Sequence, residues 1–306
     1  MTSAAPRVPV AAEASAAAAF TPADWGIFTS IAAIWGASFL FIAVGLESLE
    51  PGLVTLLRVG LGAATLNLLP GDRIRIDRSD RARLVAVSIV WVSIPFTLFP
   101  LAEQRINSAV TGLLNGATPT FVAVFAALFF GRRTSGHQLL GIAVGFSGVV
   151  LISTPSLREG STEAIGVGLV LLATLCYGLA TNLVVPLQQR YGSRAVMGRM
   201  LALATIWTLP FGLVSLPGSS IEPGPIAAVA VLGIVGTGFA FLLMGNLVGR
   251  VGATRASIIT YLIPVVALTL GVVFQDDHVA ASALVGVVLV IGGALLASRS
   301  ETNQRL

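Results

Sequence analysis

About ten apolar segments, most of them close to the length that crosses a bilayer, run through this 306-residue chain, and its arginines fall almost entirely on alternate connections between them. The segments are Gly26–Leu46, Leu53–Leu69, Leu84–Leu101, Ser108–Phe130, Leu139–Ser153, Gly166–Leu187, Val196–Leu216, Ile226–Val248, Ala253–Phe274 and Val279–Ala297. A helix needs ~20 apolar residues to cross a ~30 Å hydrocarbon core, so the pattern predicts an all-α membrane protein of ten transmembrane helices. Only 10% of the residues are charged, 55% are hydrophobic and the mean hydropathy is +0.91. A soluble chain of this length could not cover its surface with so few polar groups.

With the N-terminus placed in the cytoplasm, the inside connections and tails hold Arg7, Arg73, Arg75, Arg78, Arg81, Arg83, Arg132, Arg133, Arg190, Arg194, Arg250, Arg255, Arg299 and Arg305. The outside holds Arg105 and Arg158, while Arg58 and Arg199 fall within segments. By the positive-inside rule both termini are cytoplasmic, which requires an even number of spans. The net charge of +4 and pI near 10.2 do not point to nucleic acid, because the basic residues are scattered without interleaved aromatics. They read as topology signals with weak attraction to anionic lipid. The single cysteine, Cys176, excludes an internal disulfide or a CxxC metal or redox motif. Residues 1–24 read as a disordered N-terminal tail without a secretory signal, so the first span serves as an uncleaved insertion signal.

The chain also repeats itself. At an offset of 145, Phe96 falls on Phe241, Arg105 on Arg250, Pro119 on Pro264, Gly141 on Gly286, Gly148 on Gly293, Leu151 on Leu296 and Ser153 on Ser298. Upstream the offset relaxes, with Trp35-Gly36-Ala37 on Tyr177-Gly178-Leu179 and Arg58 on Arg199. The expected layout is a first repeat at 25–153, an external linker at 154–165, a second repeat at 166–298 and a cytoplasmic tail at 299–306. Five spans per repeat force the second copy to enter the membrane upside down, and two such copies can exchange conformations about a site near the midplane. That organisation favours a carrier.

Trp35-Gly36-Ala37-Ser38-Phe39, Arg58, the run Asn107 to Leu114 leading to Pro119, Gly131-Arg132-Arg133 and Gly141 to Gly148 resemble an EamA-type domain, and Gly252 to Ser257 through Pro264 to Gly293 resembles a second copy. Over about residues 25–298 the chain is similar to the ten-helix EamA branch of the drug/metabolite transporter superfamily. It departs from that pattern after the fourth segment, where a Gly-Glu-Arg turn is usual and this chain has Arg132, with Asp277 in the second copy. The resemblance implies two inverted five-helix repeats, a bacterial inner-membrane location and a central cavity between the first, third, fourth, sixth, eighth and ninth helices. Those helices offer Trp35, Ser38, Thr97, Thr111, Asn115, Thr118, Tyr177, Asn182, Asn246, Thr260 and Tyr261.

Candidate site residues carry two readings each. Arg58 and Arg199 either attract an anionic group or pair with a carboxylate such as Glu47 or Glu103, because an ionisable group in hydrocarbon is costly and usually functional, or snorkel to the nearer interface. Glu47 is a proton-coupling carboxylate or an interfacial residue, and Glu103 is expected to face solvent. Asn115 and Thr118 lie one turn apart before Pro119, whose missing N–H frees a carbonyl, and Tyr261 stands in the matching turn before Pro264. Pro119 and Pro264 are thus candidate hinges. The bland reading of each Asn or Thr is helix-to-helix hydrogen bonding. Gly112-x-x-x-Gly116 and Gly141-x-x-x-Gly145 are expected to pack within each half, with homodimerisation as the alternative.

Gly145-Phe146-Ser147-Gly148 has the form of an intramembrane serine protease, but His137 and His278 lie at segment ends and cannot serve Ser147 as base. Metalloprotease, aspartyl-protease and ATP-driven motifs are missing from the sequence, and no metal or cofactor is called for. The expected function is secondary transport of a small organic metabolite, with export of an amino acid or a similar neutral, zwitterionic or amphipathic solute as the first reading. The alternatives are an uptake permease of the same architecture and a non-transporting membrane scaffold or sensor.

Overall fold

The computed structural model of the chain describes residues 21–68, 74–129, 136–251 and 256–299. No strand occurs among them. Ten helices follow one another: α1 (Pro22–Leu46), α2 (Pro51–Leu68), α3 (Arg78–Glu103), α4 (Ser108–Phe129), α5 (Gly136–Glu159), α6 (Ser161–Tyr191), α7 (Ser193–Val214), α8 (Pro223–Val251), α9 (Ser257–Phe274) and α10 (Ala281–Arg299). Among the described residues, α1 to α9 are long and apolar enough to cross a membrane, and the apolar stretch of α10, Ala281–Ala297, is shorter.

The helices begin and end where local chemistry dictates, which is not always where hydropathy changes. α1 starts at Pro22, within the stretch expected as tail, because Thr21 and Asp24 form a reciprocal capping box with Pro22 in the first turn. Residues 1–20 and the Gly131-Arg132-Arg133 turn lie outside the described residues. The expected linker at 154–165 is almost wholly helical: α5 runs through Pro155 to Glu159 and α6 starts at Ser161. Polar interfacial residues such as Thr154 and Arg158 sustain helix as readily as apolar ones, so the only break is Gly160, with φ +159°. Gly192, with φ +79°, separates α6 from α7 in the same way. L side chains rarely adopt such angles, so glycine stands at both joints.

The expectation that glycine pairs pack inside each half holds for Gly145, which meets Thr120, and fails for the other three glycines. The most heavily packed helix pairs all join one half to the other: α5 with α10, α2 with α7 and α8, α3 with α6 and α7, α4 with α6 and α9, and α1 with α8 and α9. α2–α7, α4–α9 and α5–α10 pair equivalent helices, while α1–α8 mirrors α6–α3, as a two-fold axis between the repeats requires. A Cβ on Gly141 would strike the backbone of Gly293 and Ala297, and one on Gly148 the backbone of Gly286 and Val290. One on Gly112 would meet Ala267, and one on Gly116 would meet Pro264. Gly112, Gly116 and Gly141 are therefore filled by the chain's own second half, since small residues let membrane helices approach closely, while a Cβ on Gly145 would meet Thr120 of α4 in its own half.

Leucine at Gly293, whose Cβ would fall on Gly141 and Gly145, is expected to destabilise the protein by roughly 1–3 kcal/mol through overpacking. Leucine at neighbouring Gly292, with open space around it, should stay within about 0.5 kcal/mol of the parent. Thermal unfolding of the two purified variants in detergent checks the difference.

Candidate functional site

The site is assembled where the helices depart from regular geometry. α3 contains a π-helical turn at Ser88–Ser93 and α8 one at Ile234–Phe239, within one residue of the 145-residue offset. Such turns are rare and frequent at functional sites. Each has a hydroxyl that reaches five residues back: Ser93 Oγ donates to the Ser88 carbonyl and Thr237 Oγ1 to the Leu232 carbonyl, both at 3.1 Å. Hydropathy carries no trace of these turns.

Arg58 lies between them. Its guanidinium carbon is 3.8 Å from the centre of the Phe96 ring on α3, and its Nε donates to Thr237 Oγ1 on α8 at 3.3 Å. The residue is only 6% exposed, so Arg58 does not snorkel. Arg199 does turn back along its own helix, donating from Nη1 to the Ala195 carbonyl at 3.3 Å. Beside Arg58, Thr55 Oγ1 lies 2.8 Å from the Pro51 carbonyl and 2.9 Å from that of Phe96. Phe96 is four residues before Pro100, which has no N–H to offer it. The Thr55 hydroxyl therefore takes up the carbonyl that Pro100 leaves free.

The second irregular region lies where α4 and α9 meet. α4 breaks at Gly116 and Ala117, whose N–H groups donate to the carbonyls three residues back, and α9 opens with a 3-10 turn, Ser257–Tyr261, before Pro264. Gly116 abuts Pro264, so the two breaks face each other. Pro119 frees the Asn115 carbonyl, and Thr118 Oγ1 donates to it at 2.8 Å. The side-chain Oδ1 of Asn115 is buried with no hydrogen-bond partner.

The remaining predicted residues divide by their contacts. Trp35 packs edge-on against Phe241 of α8 with ring centres 6.1 Å apart. Ser38 is buried on the same helix, donates to the Ile34 carbonyl and faces Gly236 in the π-turn. Tyr177 stacks at a tilt on Phe99, 5.9 Å between centres. Thr111 is wholly buried and bonds to Asn107 of its own helix. Asn182 donates to the Val122 and Gly178 carbonyls, joining α6 to α4, which is the helix-to-helix role. Tyr261 sits in the turn before Pro264, and Thr97 faces a groove of about 390 Å³ between α3 and α7 together with Trp207.

Glu103 overturns its expectation of solvent exposure. Both its carboxylate oxygens are buried and none has a hydrogen-bond partner. Helical side chains lean toward the helix N-terminus, so a glutamate in the last turn of α3 leans back into the bundle. Asp277, in the turn before α10, closes over the adjacent end of α4, accepting from Ser108 Oγ and the Ala109 N–H at 2.8 Å each. Glu47 by contrast stands exposed at the C-cap of α1.

The sequence comparison decides the family: the profile of the EamA-like transporter family matches residues 24–154 and again 164–299. The chain belongs to the EamA-like transporter family. It is 26% identical over 277 residues to an "Uncharacterized transporter" of Archaeoglobus fulgidus, covering 90% of this chain and 99% of that one. It is also 26% identical to a "Probable terminal-alkyne amino-acid exporter" of Streptantibioticus cattleyicolor, over 92% of this chain and 95% of the relative. A "Probable amino-acid metabolite efflux pump" of Escherichia coli matches at 26% over 86% of this chain and 90% of the relative. A solved crystal structure shares the fold, with a TM-score of 0.64 at 18% identity over 93% of this chain and 99% of that chain. This EamA protein is thus a multi-pass transporter of the bacterial inner membrane and not an enzyme.

Replacing Thr118 by valine strands the Asn115 carbonyl at the α4 break and is expected to cost about 1–2 kcal/mol. Serine at the same position keeps the hydroxyl and should be near neutral. Thermal unfolding of the two variants distinguishes the capping role from simple packing.

Proposed function

We propose that this EamA protein exports a small neutral, zwitterionic or amphipathic solute, an amino acid or a close relative of one, by alternating access. The observation that carries the reading is Arg58. It is a buried guanidinium held by one hydroxyl and one aromatic face, and among the described residues no carboxylate is in ion-pair contact with it. A buried charge without its counter-ion is expensive, so this arrangement suits a solute carboxylate that supplies the missing charge transiently. One arginine also argues against a multiply charged anion. The names of the S. cattleyicolor and E. coli relatives support the solute class and the direction of transport.

In this reading α10 is the tenth span, pressed against α5 by its glycines, and both termini are cytoplasmic. The inner end then carries Arg75, Arg78, Arg81, Arg83, Arg190, Arg194 and Arg250, with Arg105 and Arg158 at the outer end. Trp35, Ser38, Tyr177, Asn115, Thr118 and Tyr261 surround the path between Arg58 and the paired breaks at Pro119 and Pro264, which act as hinges. An uptake permease would share this architecture, and the driving force alone would separate the two.

Topology is checked with single cysteines introduced into a Cys176→Ser background. A membrane-impermeant maleimide added to intact spheroplasts is expected to label Ser161→Cys and to leave Gln189→Cys and Glu301→Cys unlabelled until the membrane is permeabilised. Labelling of Glu301→Cys in intact spheroplasts would reduce the span count to nine.

Transport is checked by comparing intracellular and extracellular metabolites in cells overproducing the protein and cells lacking it. An amino acid or relative is expected to accumulate outside only with the intact protein, and not with the Arg58→Ala, Asn115→Ala double variant expressed at the same level. Depletion of a solute from the medium would reverse the direction, and silence of both substitutions would favour the scaffold reading.

A further inference from the structure

Resting on the proposed solute class, the geometry points to Glu103 as the residue that reads the ammonium group of a zwitterionic solute while Arg58 reads its carboxylate. Arg58 lies over Phe96 of α3 and Glu103 ends that same helix; the guanidinium and both Glu103 oxygens are buried, and among the described residues no ion pair joins them. Both Glu103 oxygens are without a hydrogen bond. A buried carboxyl that makes no hydrogen bond is costly, and so is a buried guanidinium without a counter-ion.

Their spacing along α3 explains why they stay apart. Arg58 lies over Phe96, two turns before Glu103, and a rise of about 1.5 Å per residue separates those positions by about 10 Å along the axis. Side chains on one helix lean the same way, so Arg58 over Phe96 and the Glu103 carboxyl stay out of contact. What remains suits one small molecule bearing opposite charges a few ångströms apart. The wall between them is aromatic: Phe96 under Arg58, then Phe99, stacked on Tyr177 and edge-on to Phe39 with centres 5.6 Å apart.

Asp277 strengthens the polarity of this arrangement. Its Oδ2 is committed to Ser108 and Ala109 at the start of α4. It cannot serve as counter-ion for Arg58 from there, but it makes the outer end of the region negative. A solute entering with its carboxylate toward Arg58 therefore places its ammonium where two acidic groups meet it. Removing the ammonium should remove the solute's hold on Glu103 alone.

The test uses the full-length protein reconstituted into vesicles of phosphatidylethanolamine and phosphatidylglycerol. Counterflow of labelled leucine, phenylalanine and threonine is competed with the same amino acids and with their 2-hydroxy-acid counterparts, which keep the carboxylate and lack the ammonium. The parent is expected to prefer the amino acid it carries over its hydroxy acid by at least roughly tenfold. Glu103→Gln should abolish that preference while leaving competition by the hydroxy acid unchanged, and Glu103→Asp, which keeps the charge, should restore most of it. Arg58→Gln should weaken both competitors together.

If Glu103→Gln retains the parent's preference, the inference is overturned. It is equally overturned if Glu103→Gln keeps normal amino-acid counterflow and loses only transport driven by a proton gradient, since Glu103 would then carry a proton and not read the solute. If the parent carries none of the amino acids, the proposed solute class itself fails and the inference falls with it, an outcome visible before any variant is made.

Discussion

Hydrocarbon offers no hydrogen bonds, so each backbone N–H and C=O in the membrane must find its partner within the protein. That constraint makes the chain helical, and it governs every place where the helices are interrupted. Pro100 frees the Phe96 carbonyl and Thr55 of α2 takes it up; Pro119 frees the Asn115 carbonyl and Thr118 takes it up. In the π-turns Ser93 and Thr237 perform the same service for carbonyls five residues back. These interruptions each spend a hydroxyl on their own repair; among the described residues the buried side-chain atoms left without a partner are Ser48 Oγ, Thr120 Oγ1, Asn115 Oδ1 and both oxygens of Glu103.

The same hydroxyls place the charge. Thr237 both closes the π-turn of α8 and accepts from Arg58, while Thr55 ties α2 to α3 one turn from Arg58. Arg58 is therefore positioned by three helices drawn from both repeats, and its position depends on the repeats staying in register. Register in turn is set by close backbone approach: Gly62 and Gly233 seat α2 against α8 beside Arg58 itself, as Gly141, Gly148, Gly286 and Gly293 seat α5 against α10. A shift of the α2–α8 interface by one turn would carry Arg58 away from Thr237.

Much of this was legible in the sequence, and the unread part has a common cause. The apolar segments, the arginine asymmetry, the duplicated proline and glycine positions and Arg58 are all local or periodic signals. The π-turns, the burial of Glu103 and the partner of each glycine are not, because they depend on which distant helix lies alongside. Thr55 and Phe96, or Arg58 and Thr237, are brought together by packing of α2 on α3 and α8, for which hydropathy has no term. The misplaced helix starts have a different origin: Thr21, Pro22 and Asp24 cap a helix through hydrogen bonds that a count of apolar residues ignores.

The two ends of the bundle are held differently, and the difference bears on how a carrier of this build moves. At the arginine-rich end ion pairs join the repeats: Arg250 with Asp24, and Arg190 with both Asp77 and Asp80, the latter at 2.7 Å. At the opposite end the described links between repeats are hydrogen bonds, from the Ser220 N–H to the Ser48 carbonyl at 2.8 Å and from the Glu50 N–H to Ser219 Oγ at 2.9 Å, with Asn107 and Ser108 reaching the turn before α10. Exposed ion pairs such as Arg190 with Asp77 contribute only ~0–1 kcal/mol each. A latch of that strength holds one conformation without trapping it. Alternating access needs two states separated by a few kcal/mol at most, so that a bound solute can shift their populations. Weak closures at both ends, around a core fixed by glycine contacts and the buried Arg58, are what the proposed alternating access would require.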